Sequence, residues 1–357
     1  MAGVAQSGRD HHLIPHASID RHTEHASSAR ARVPRPHSPV KLDVMSLADR
    51  IAGCGGVMAY HGVATSPLIR AMHITPERFR QHMEFLQQRY CIVPLIDMVE
   101  RWRRGASTNG YVAITFDDAY AGVRKHAMPV LRDLNIRATI FVTSDHAQLG
   151  ATYWWDEAER ERVEPAESTW TTRLASVGLS PLGASDLLSM EALRTRVLAR
   201  YFGRWPAGIR PSDDEEWRSL RFDELRALAS DGLVDFGVHT LSHPSLPSLA
   251  YEEQVAEIHG NFLLLKERLP NVQPIVAYPY GLYDRTTIRA AADAGMVCGV
   301  TMEGRAPSGS PNLFTVPRVG CGEAHDIRSV SRRLSRVLRP FLVVRNGSIH
   351  PRVPRPE

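Results

Sequence analysis

Short apolar runs alternate with longer amphipathic segments from Gly56 to about residue 320. A short apolar run between turn residues is typical of a buried strand, and apolar residues at every third or fourth position predict a helix packed on one face. The predicted strands are 57–60, 92–95, 111–116, 138–142, 234–238, 275–278, 297–301 and 314–319. The predicted helices are one that begins at Pro76, one that bends or breaks near Pro129, and those at 222–230, 251–269 and 285–294.

This alternation indicates the class of fold. Strands that alternate with helices pair in parallel, because each connecting helix returns the chain to the same end of the sheet. The class is therefore α/β, and the sheet is either a barrel or doubly wound. In both architectures the active residues gather at the carboxyl ends of the strands.

Three segments depart from the alternating pattern. Residues 150–220 contain five tryptophans and helical patches, and they are predicted to form a helical insertion over the sheet. Residues 1–44 are rich in His, Arg, Ser and Pro and lack apolar periodicity, which predicts a disordered tail. We interpret residues 45–325 as one domain and residues 326–357 as a basic helix and tail.

The positive charge of the chain is concentrated at its ends. The net charge is +4, and residues 328–357 alone carry eight arginines against one acidic residue. The body of the chain is therefore mildly acidic. Because it also lacks a recognisable nucleic-acid-binding motif, the sequence predicts no nucleic-acid partner.

The sequence also bears on the cellular compartment. It has no run of about 18 apolar residues that would span a membrane and no compact apolar core of a secretory signal. The cysteines are scattered and form no C-x-x-C pair, as expected in a reducing compartment; they are Cys54, Cys91, Cys298 and Cys321. We therefore expect a cytoplasmic protein.

The C-terminal segment qualifies that expectation. Residues 327–344 carry apolar residues at near-helical spacing, with arginines on the opposite side. A basic amphipathic helix of this kind either docks on its own domain or lies on an anionic membrane surface. The second alternative would make the protein peripheral at the inner membrane face. The sequence does not determine the oligomeric state.

Four residues with metal-binding or acid–base chemistry follow predicted strands. Asp117 and Asp118 come directly after the third strand, and His239 and His243 come after the fifth. Two adjacent carboxylates repel each other unless a positive charge lies near, and a bound cation supplies it. Two histidines and one aspartate make a ligand set that leaves coordination positions for water and substrate. The other aspartate would be free to take a proton.

A third motif, Tyr278-Pro279-Tyr280-Gly281, also follows a predicted strand. Proline and glycine bracket Tyr280 and fix the shape of the loop, so that the backbone N–H of Tyr280 can point inward. The alternative is an ordinary turn built on Pro and Gly.

Together, Thr115-Phe116-Asp117-Asp118, His239 with His243, and Tyr278-Pro279-Tyr280-Gly281 resemble the motifs of the polysaccharide deacetylases of the NodB-homology type, carbohydrate esterase family 4. The resemblance extends over about residues 57–320. Met58-Ala59-Tyr60-His61 looks like the entry strand of deacetylases that act on poly-N-acetylglucosamine, and Trp154-Trp155-Asp156 looks like members associated with exopolysaccharides. The family fold is a distorted (β/α) barrel, here with a helical insertion.

The resemblance implies metal-dependent hydrolysis of an N-acetyl group on a polysaccharide, oligosaccharide or glycan precursor, with release of acetate. Asp118, His239 and His243 would hold one divalent cation, with Zn²⁺ as the default and Co²⁺ or Ni²⁺ as alternatives. Asp117 would act as the general base and His61 as the general acid.

The resemblance also implies how the substrate is bound and where this chain departs from the family. Pro279 and Tyr280 would contact the substrate, and the Tyr280 N–H would stabilise the oxyanion. The arginine that commonly precedes the Pro-Tyr-Gly motif is replaced by Ala277, and Arg318 is predicted to orient Asp117 and lower its pKa instead. Ala119 stands where the family usually has glycine.

Two alternatives stay open. The first is a deacetylase or amidohydrolase that acts on a glycolipid or small molecule. The second is a catalytically inactive carbohydrate-binding module. The intact pair of aspartates and pair of histidines argues against the second alternative, whereas Ala119 and the missing arginine keep it open.

Overall fold

The computed structural model of the protein describes residues 55–156, 212–307 and 311–334, apart from residues 68, 70 and 71. The predicted disordered tail (1–44), the middle of the predicted insertion and the end of the predicted C-terminal helix lie outside the described residues. Among the helices that are described, none has the length and apolar character needed to cross a membrane.

Parallel strands form a closed barrel. The described strands are β1 (Gly56–Tyr60), β2 (Cys91–Ile92), β3 (Tyr111–Phe116), β4 (Ala138–Val142), β5 (Val234–Val238), β6 (Val272–Ala277), β7 (Cys298–Thr301) and β8 (Val316–Gly320). From β3 to β8 each strand pairs with the next, and β1 pairs with both β3 and β8. Seven strands therefore close into a ring, while the short β2 pairs with the start of β3. The predicted α/β barrel is confirmed.

The described α-helices alternate with these strands. They are α1 (Pro76–Arg89), α2 (Leu95–Arg103), α3 (Met128–Asp133), α4 (Ser144–Leu149), α5 (Phe222–Ala229), α6 (Tyr251–Arg268), α7 (Arg285–Asp293) and α8 (Ile327–Leu334). Helix α1 begins as its sequence predicts: the Thr75 hydroxyl accepts a hydrogen bond from the N–H of Arg78, and Pro76 takes the first helical position. Near Pro129 the predicted break is a π-helical turn, Val123–Ala127, that leads into α3.

Helix α2 packs against the side chains inside the barrel. The interior side chains that belong to this cluster are Val57, Ala113, Phe141, Ile275, Ala277, Cys298, Val300 and Val316, and those of α2 are Leu95, Met98, Val99 and Trp102. Nε1 of Trp102 in α2 donates to the hydroxyl of Thr108, just before β3, so α2 lies at the end of the barrel where the strands begin. The polar chemistry of the chain is thereby left to the opposite, carboxyl end.

The prediction of a strand at 92–95 was wrong at the carboxyl end of that strand. The structure has β2 at Cys91–Ile92, and α2 already begins at Leu95. Pro94 lacks the N–H that a continuing strand would use, and apolar residues recur at helical spacing from Leu95 to Trp102. These apolar side chains are buried, so tertiary packing favours the helix.

The described part of the C-terminal helix docks on its own domain. In α8, Val330 and Leu334 are fully buried, whereas Arg328 and Arg332 are exposed. The apolar face of this part is therefore occupied by the barrel. Membrane contact stays a prediction, and it concerns the residues that follow Leu334.

Candidate active site

The predicted site residues follow strands of the barrel or, in one case, lie within a strand. They are His61 after β1, Asp117 and Asp118 after β3, His239 and His243 after β5, Pro279 and Tyr280 after β6, and Arg318 within β8. Parallel strands bring their carboxyl ends together although the residues are far apart in the sequence.

Asp118, His239 and His243 form a compact set of ligand atoms. One carboxylate oxygen of Asp118 lies 3.5 Å from Nε2 of His239 and 3.4 Å from Nε2 of His243. The three ligand atoms all lie within 4.8 Å of one another, and the three residues are buried. Within the described ranges, this is the only group of His, Cys, Asp and Glu residues that could hold a metal ion.

The surroundings of the set suit a cation. Nδ1 of His239 lies 2.7 Å from the carbonyl oxygen of Ala277. Since a carbonyl oxygen only accepts, Nδ1 carries the proton and Nε2 presents its lone pair. The Asp118 oxygen between the imidazoles is buried and has no hydrogen-bond partner in the described part of the chain. Because such an oxygen is costly without a positive neighbour, the residues fit one divalent cation.

The loops that carry these ligands have unusual backbone conformations. The φ angle is +68° at Asp118, +52° at Ala119, +65° at Thr240, +62° at His243 and +59° at Tyr280. They are five of the seven non-glycine residues with positive φ that the described ranges contain. Each such residue costs on the order of 1 kcal/mol or more, so the neighbouring structure must hold the loops in place. Alanine at position 119 therefore adds strain that glycine would avoid, but Asp118 still reaches the ligand set.

Arg318 binds Asp117 through both ends of its guanidinium group. Nη1 and Nη2 donate to different oxygens of Asp117, each at 2.7 Å. Nη1 also donates to the Thr115 hydroxyl at 3.1 Å, and Nε donates to the Thr301 carbonyl at 3.2 Å. Arg318 is fully buried, and Asp117 is 3% exposed. The structure thus places Arg318 where the sequence hypothesis requires it.

This pairing sets the protonation of Asp117. Burial alone would raise the pKa of Asp117, but the adjacent Arg318 guanidinium outweighs burial, and the pKa falls to about 2. The carboxylate is therefore ionised at neutral pH. Each of its oxygens accepts one hydrogen bond from Arg318 and keeps further lone-pair capacity, so Asp117 can still take a proton.

His61 adjoins the same carboxylate. Its Nε2 lies 3.8 Å from Oδ2 of Asp117, and its side chain is 12% exposed. Burial lowers the pKa of His61, while the charges of Asp117 and Asp118 oppose part of that effect. Nδ1 of His61 is buried and has no hydrogen-bond partner among the described residues. The imidazole therefore lies beside the predicted base and is not tied to another side chain there.

The Pro-Tyr-Gly motif forms a tight turn at the site. The turn spans Pro279–Gly281, and the Tyr280 hydroxyl accepts a hydrogen bond from Nε1 of Trp154 at 3.1 Å. The Tyr280 ring meets the His243 ring nearly edge-on, with centroids 4.5 Å apart. The role of the Tyr280 N–H as an oxyanion donor stays a prediction.

Other aromatic contacts were missed by the sequence reasoning. Trp155 and Tyr153 also face His243, with ring centroids 5.0 Å and 5.8 Å away. The sequence analysis did not place the tryptophans of residues 150–220 beside a metal ligand. The signal available was the motif Trp154-Trp155-Asp156, but the local sequence pattern does not give its position relative to the ligands.

Comparison with known families decides the class of the protein. A sequence model described as polysaccharide deacetylase matches residues 104–172 and 203–299, which include both aspartates and both histidines of the site. The region that carries the site belongs to the polysaccharide deacetylase family. This deacetylase is accordingly a hydrolase whose substrate class is an N-acetylated carbohydrate. His61 and Arg318 lie outside the matched residues.

Individual proteins are similar to this one over most of the chain. YxkH of Bacillus subtilis, a polysaccharide deacetylase by name, is 21% identical over 265 residues, which cover 74% of this chain and 70% of YxkH. The Streptococcus pyogenes deacetylase PplD in complex with acetate has a TM-score of 0.53 at 17% identity, with 78% of this chain and 97% of PplD covered. A de-N-acetylase from Aggregatibacter actinomycetemcomitans has a TM-score of 0.53 at 15% identity, with coverages of 78% and 99%. At these identities the structural similarity shows the shared fold.

Proposed function

We propose that this deacetylase hydrolyses N-acetyl groups of a polysaccharide or oligosaccharide with one divalent cation bound by Asp118, His239 and His243. The observation that carries the proposal is the different surroundings of two adjacent carboxylates. Asp118 faces two imidazole nitrogens, whereas Asp117 is already neutralised by Arg318. One carboxylate is thereby available as a cation ligand and the other as a base.

The donor set determines what the cation would contribute. When bound, a divalent cation supplies the Lewis acidity that activates water and polarises the acetamide carbonyl. Two imidazoles and one carboxylate leave positions for both groups. Zn²⁺ is the proposed ion, and this donor set also accepts Co²⁺ or Ni²⁺.

The other side chains would carry the proton transfers. Arg318 keeps Asp117 ionised and oriented. Asp117 takes a proton from a water molecule while the oxygen of that water bonds to the carbonyl carbon of the acetamide. The Tyr280 N–H donates to the oxyanion that forms, which lowers the barrier by about 3 kcal/mol for a donor of this kind. His61, whose protonated form the charge of Asp117 favours against the effect of burial, gives a proton to the nitrogen as the C–N bond breaks. Acetate and the free amine are the products.

His61→Ala should slow acetate release by about 10²–10⁴-fold, as is typical when a general acid is removed. The cation should remain, because His61 is not one of the three ligands. Rate and metal content of the same preparation check both statements. A variant with a near-normal rate would assign His61 to packing instead.

We propose a polymer of N-acetylglucosamine as the substrate. The support is the entry strand Met58–His61, which resembles poly-N-acetylglucosamine deacetylases, and the position of its histidine 3.8 Å from Asp117. At that distance, the residue that follows the first strand of the barrel would supply the general acid, as the resemblance implies.

Acetate release from a substrate panel tests this function. The panel contains poly-N-acetylglucosamine oligomers, chitooligosaccharides, N-acetylglucosamine and a lipid-linked N-acetyl sugar, each with wild type and Asp117→Asn. We expect oligomers of N-acetylglucosamine to release acetate fastest, and only with wild type. Faster release from the lipid-linked sugar or the monomer would favour the glycolipid or small-molecule alternative. If the zinc-loaded protein released no acetate from any substrate of the panel, the alternative of a catalytically inactive carbohydrate-binding module would be favoured.

A further inference from the structure

The two imidazole ligands are held in different ways. His239 is oriented by the hydrogen bond from its Nδ1 to the Ala277 carbonyl, which is the usual outer partner of a metal-binding histidine. Nδ1 of His243 is buried and has no hydrogen-bond partner in the part of the chain that is described. His243 is also only 5% exposed, so bulk solvent does not reach this nitrogen. Packing must therefore set the orientation of its ring.

Three aromatic rings supply this packing. The ring centroids of Tyr280, Trp155 and Tyr153 lie 4.5, 5.0 and 5.8 Å from that of His243. Tyr153 and Trp155 stack on each other, with centroids 4.7 Å apart and planes 18° from parallel. The stacked pair forms a common face, and a displacement of Trp155 would leave a gap beside His243.

Buried hydrogen bonds fix Trp155 in turn. Its Nε1 donates to the Tyr120 hydroxyl at 2.8 Å, and that hydroxyl donates to the Asp156 carboxylate at 2.5 Å. Another oxygen of Asp156 lies 3.3 Å from Nε2 of His73. His73 accepts the Ile69 N–H at Nδ1, so the proton of a neutral ring is on Nε2; the contact of Nε2 with Asp156 is electrostatic and lacks the geometry of a hydrogen bond. All these side chains except that of Ile69 are at most 2% exposed, so the contacts around Trp155 are shielded from water.

The same segment also holds the backbone of the carboxylate ligand. The Tyr153 hydroxyl donates to the Asp118 carbonyl at 2.9 Å. The next carbonyl, that of Ala119, accepts the N–H of Leu220 at 2.8 Å. Asp118 and Ala119 both have positive φ, and these two bonds, from opposite ends of the predicted insertion, hold the strained loop in place.

We propose that the segment Tyr153–Asp156 positions the cation ligands. Trp155, anchored by Tyr120 and Asp156, sets the ring of His243, and Tyr153 holds the loop of Asp118. This inference rests on the proposed cation site. The residues are positioning residues, since they act through His243 and Asp118 and need not touch the cation or the substrate.

The dissociation constant of Zn²⁺, measured by competition with a chromophoric chelator, tests the proposal. Tyr120→Phe removes the hydroxyl that joins Trp155 to Asp156, and Trp155→Phe removes the N–H from the same contact. Each should weaken Zn²⁺ binding by about 10- to 100-fold, the range known for outer partners of metal ligands. The absorption bands of the Co²⁺-loaded variants should also shift, because the ligand geometry changes.

Trp102→Phe is the matched control. Trp102 is a buried tryptophan of α2 whose Nε1 donates to the Thr108 hydroxyl at 3.0 Å, at the far end of the barrel. It should change the stability of the protein and leave Zn²⁺ affinity at the wild-type value. Equal weakening by Trp102→Phe would overturn the proposal, because the effect would then be general destabilisation.

The double variant Tyr120→Phe/Trp155→Phe sharpens the test. Both changes break the same contact, the hydrogen bond between Trp155 and Tyr120. The double variant should therefore bind Zn²⁺ no more than about twofold worse than the weaker-binding single variant. If Tyr120→Phe does not fold, Trp155→Phe and its control carry the test alone. Wild-type affinity in the folded variants would overturn the positioning role while leaving the cation site intact. A wild-type protein without affinity for Zn²⁺ would instead refute the proposed function itself.

Discussion

Asp118→Asn should lose the bound cation and acetate release together. Asp118 provides the one carboxylate of the ligand set, and its oxygen faces both imidazoles at 3.5 and 3.4 Å. An asparagine offers a neutral carbonyl oxygen, a much weaker ligand for a transition-metal cation, and its NH₂ group cannot ligate at all. Elemental analysis should therefore find little metal in the purified variant, and acetate release should fall to the level of the blank.

Asp117→Asn is the matched comparison for Asp118→Asn, because it removes the same charge at the neighbouring position. Asp117 is engaged by Arg318 and is not part of the ligand set, so this variant should keep its cation. Its turnover should nevertheless fall by about 10²–10⁴-fold, since the general base is gone. An Asp117→Asn enzyme with wild-type turnover would refute the base role, and an Asp118→Asn protein that retains a full complement of metal would refute the ligand role.

Arg318→Met should lower the free energy of unfolding by about 3–5 kcal/mol. The substitution leaves Asp117, which is 3% exposed, without the two charge-assisted hydrogen bonds that it receives at 2.7 Å. Methionine fills much of the volume, so the loss reflects an uncompensated buried charge more than a cavity. Denaturant unfolding of the metal-free proteins measures the difference without a contribution from cation binding.

The double variant Asp117→Asn/Arg318→Met is the control for this prediction. Since neither charge remains, it should recover a large part of the stability that Arg318→Met loses. A loss below about 1 kcal/mol for Arg318→Met alone would show that the pair behaves like an exposed salt bridge. No recovery in the double variant would show that Arg318 contributes through packing.

The pH dependence of unfolding is a second test of how much the Asp117–Arg318 pair contributes to stability. Despite the opposing effect of burial, Arg318 lowers the pKa of Asp117 from 3.8 to about 2 on folding. The contribution of the pair is therefore complete above pH 3.8 and is lost as the pH falls through about 2. In Arg318→Met, burial acts without Arg318 and should raise the pKa of Asp117. The stability difference between the two proteins should consequently shrink as the solution is acidified, and a constant difference would contradict this account.

The fold was predictable where local pattern and burial agree. Strands β3, β4 and β5 lie at their predicted bounds, because each is a short apolar run between turn residues. Helix α2 was not predicted, since the apolar residues on both sides of Pro94 read as a continuing strand. Closure of the barrel depends on β1 pairing with both β3 and β8, which are distant in sequence. Local pattern left barrel and open sheet as alternatives, and only the family resemblance chose between them.

The site was predictable where chemistry follows strand ends. Asp118 and His239 could be grouped because parallel strands end at the same edge of the barrel. Arg318 could be proposed because the sequence lacks the arginine expected before the Pro-Tyr-Gly motif. The contacts of Trp155 could not be predicted, because they depend on pairings between distant residues beside it, such as Tyr120 with Ser219 and Thr152 with Arg218. The positive φ of His243 likewise has no signal in its residue type.

Titration of the metal-free protein with Zn²⁺, followed by acetate release from an N-acetylglucosamine oligomer, tests the central claim most directly. The protein is stripped with a chelator, and the rate is measured after each addition of the ion. We expect no release at the start and a linear rise that levels off at about one cation per chain, as the single ligand set requires. Acetate release that is unaffected by stripping would contradict the account, as would a rate that does not return at any amount of Zn²⁺, Co²⁺ or Ni²⁺.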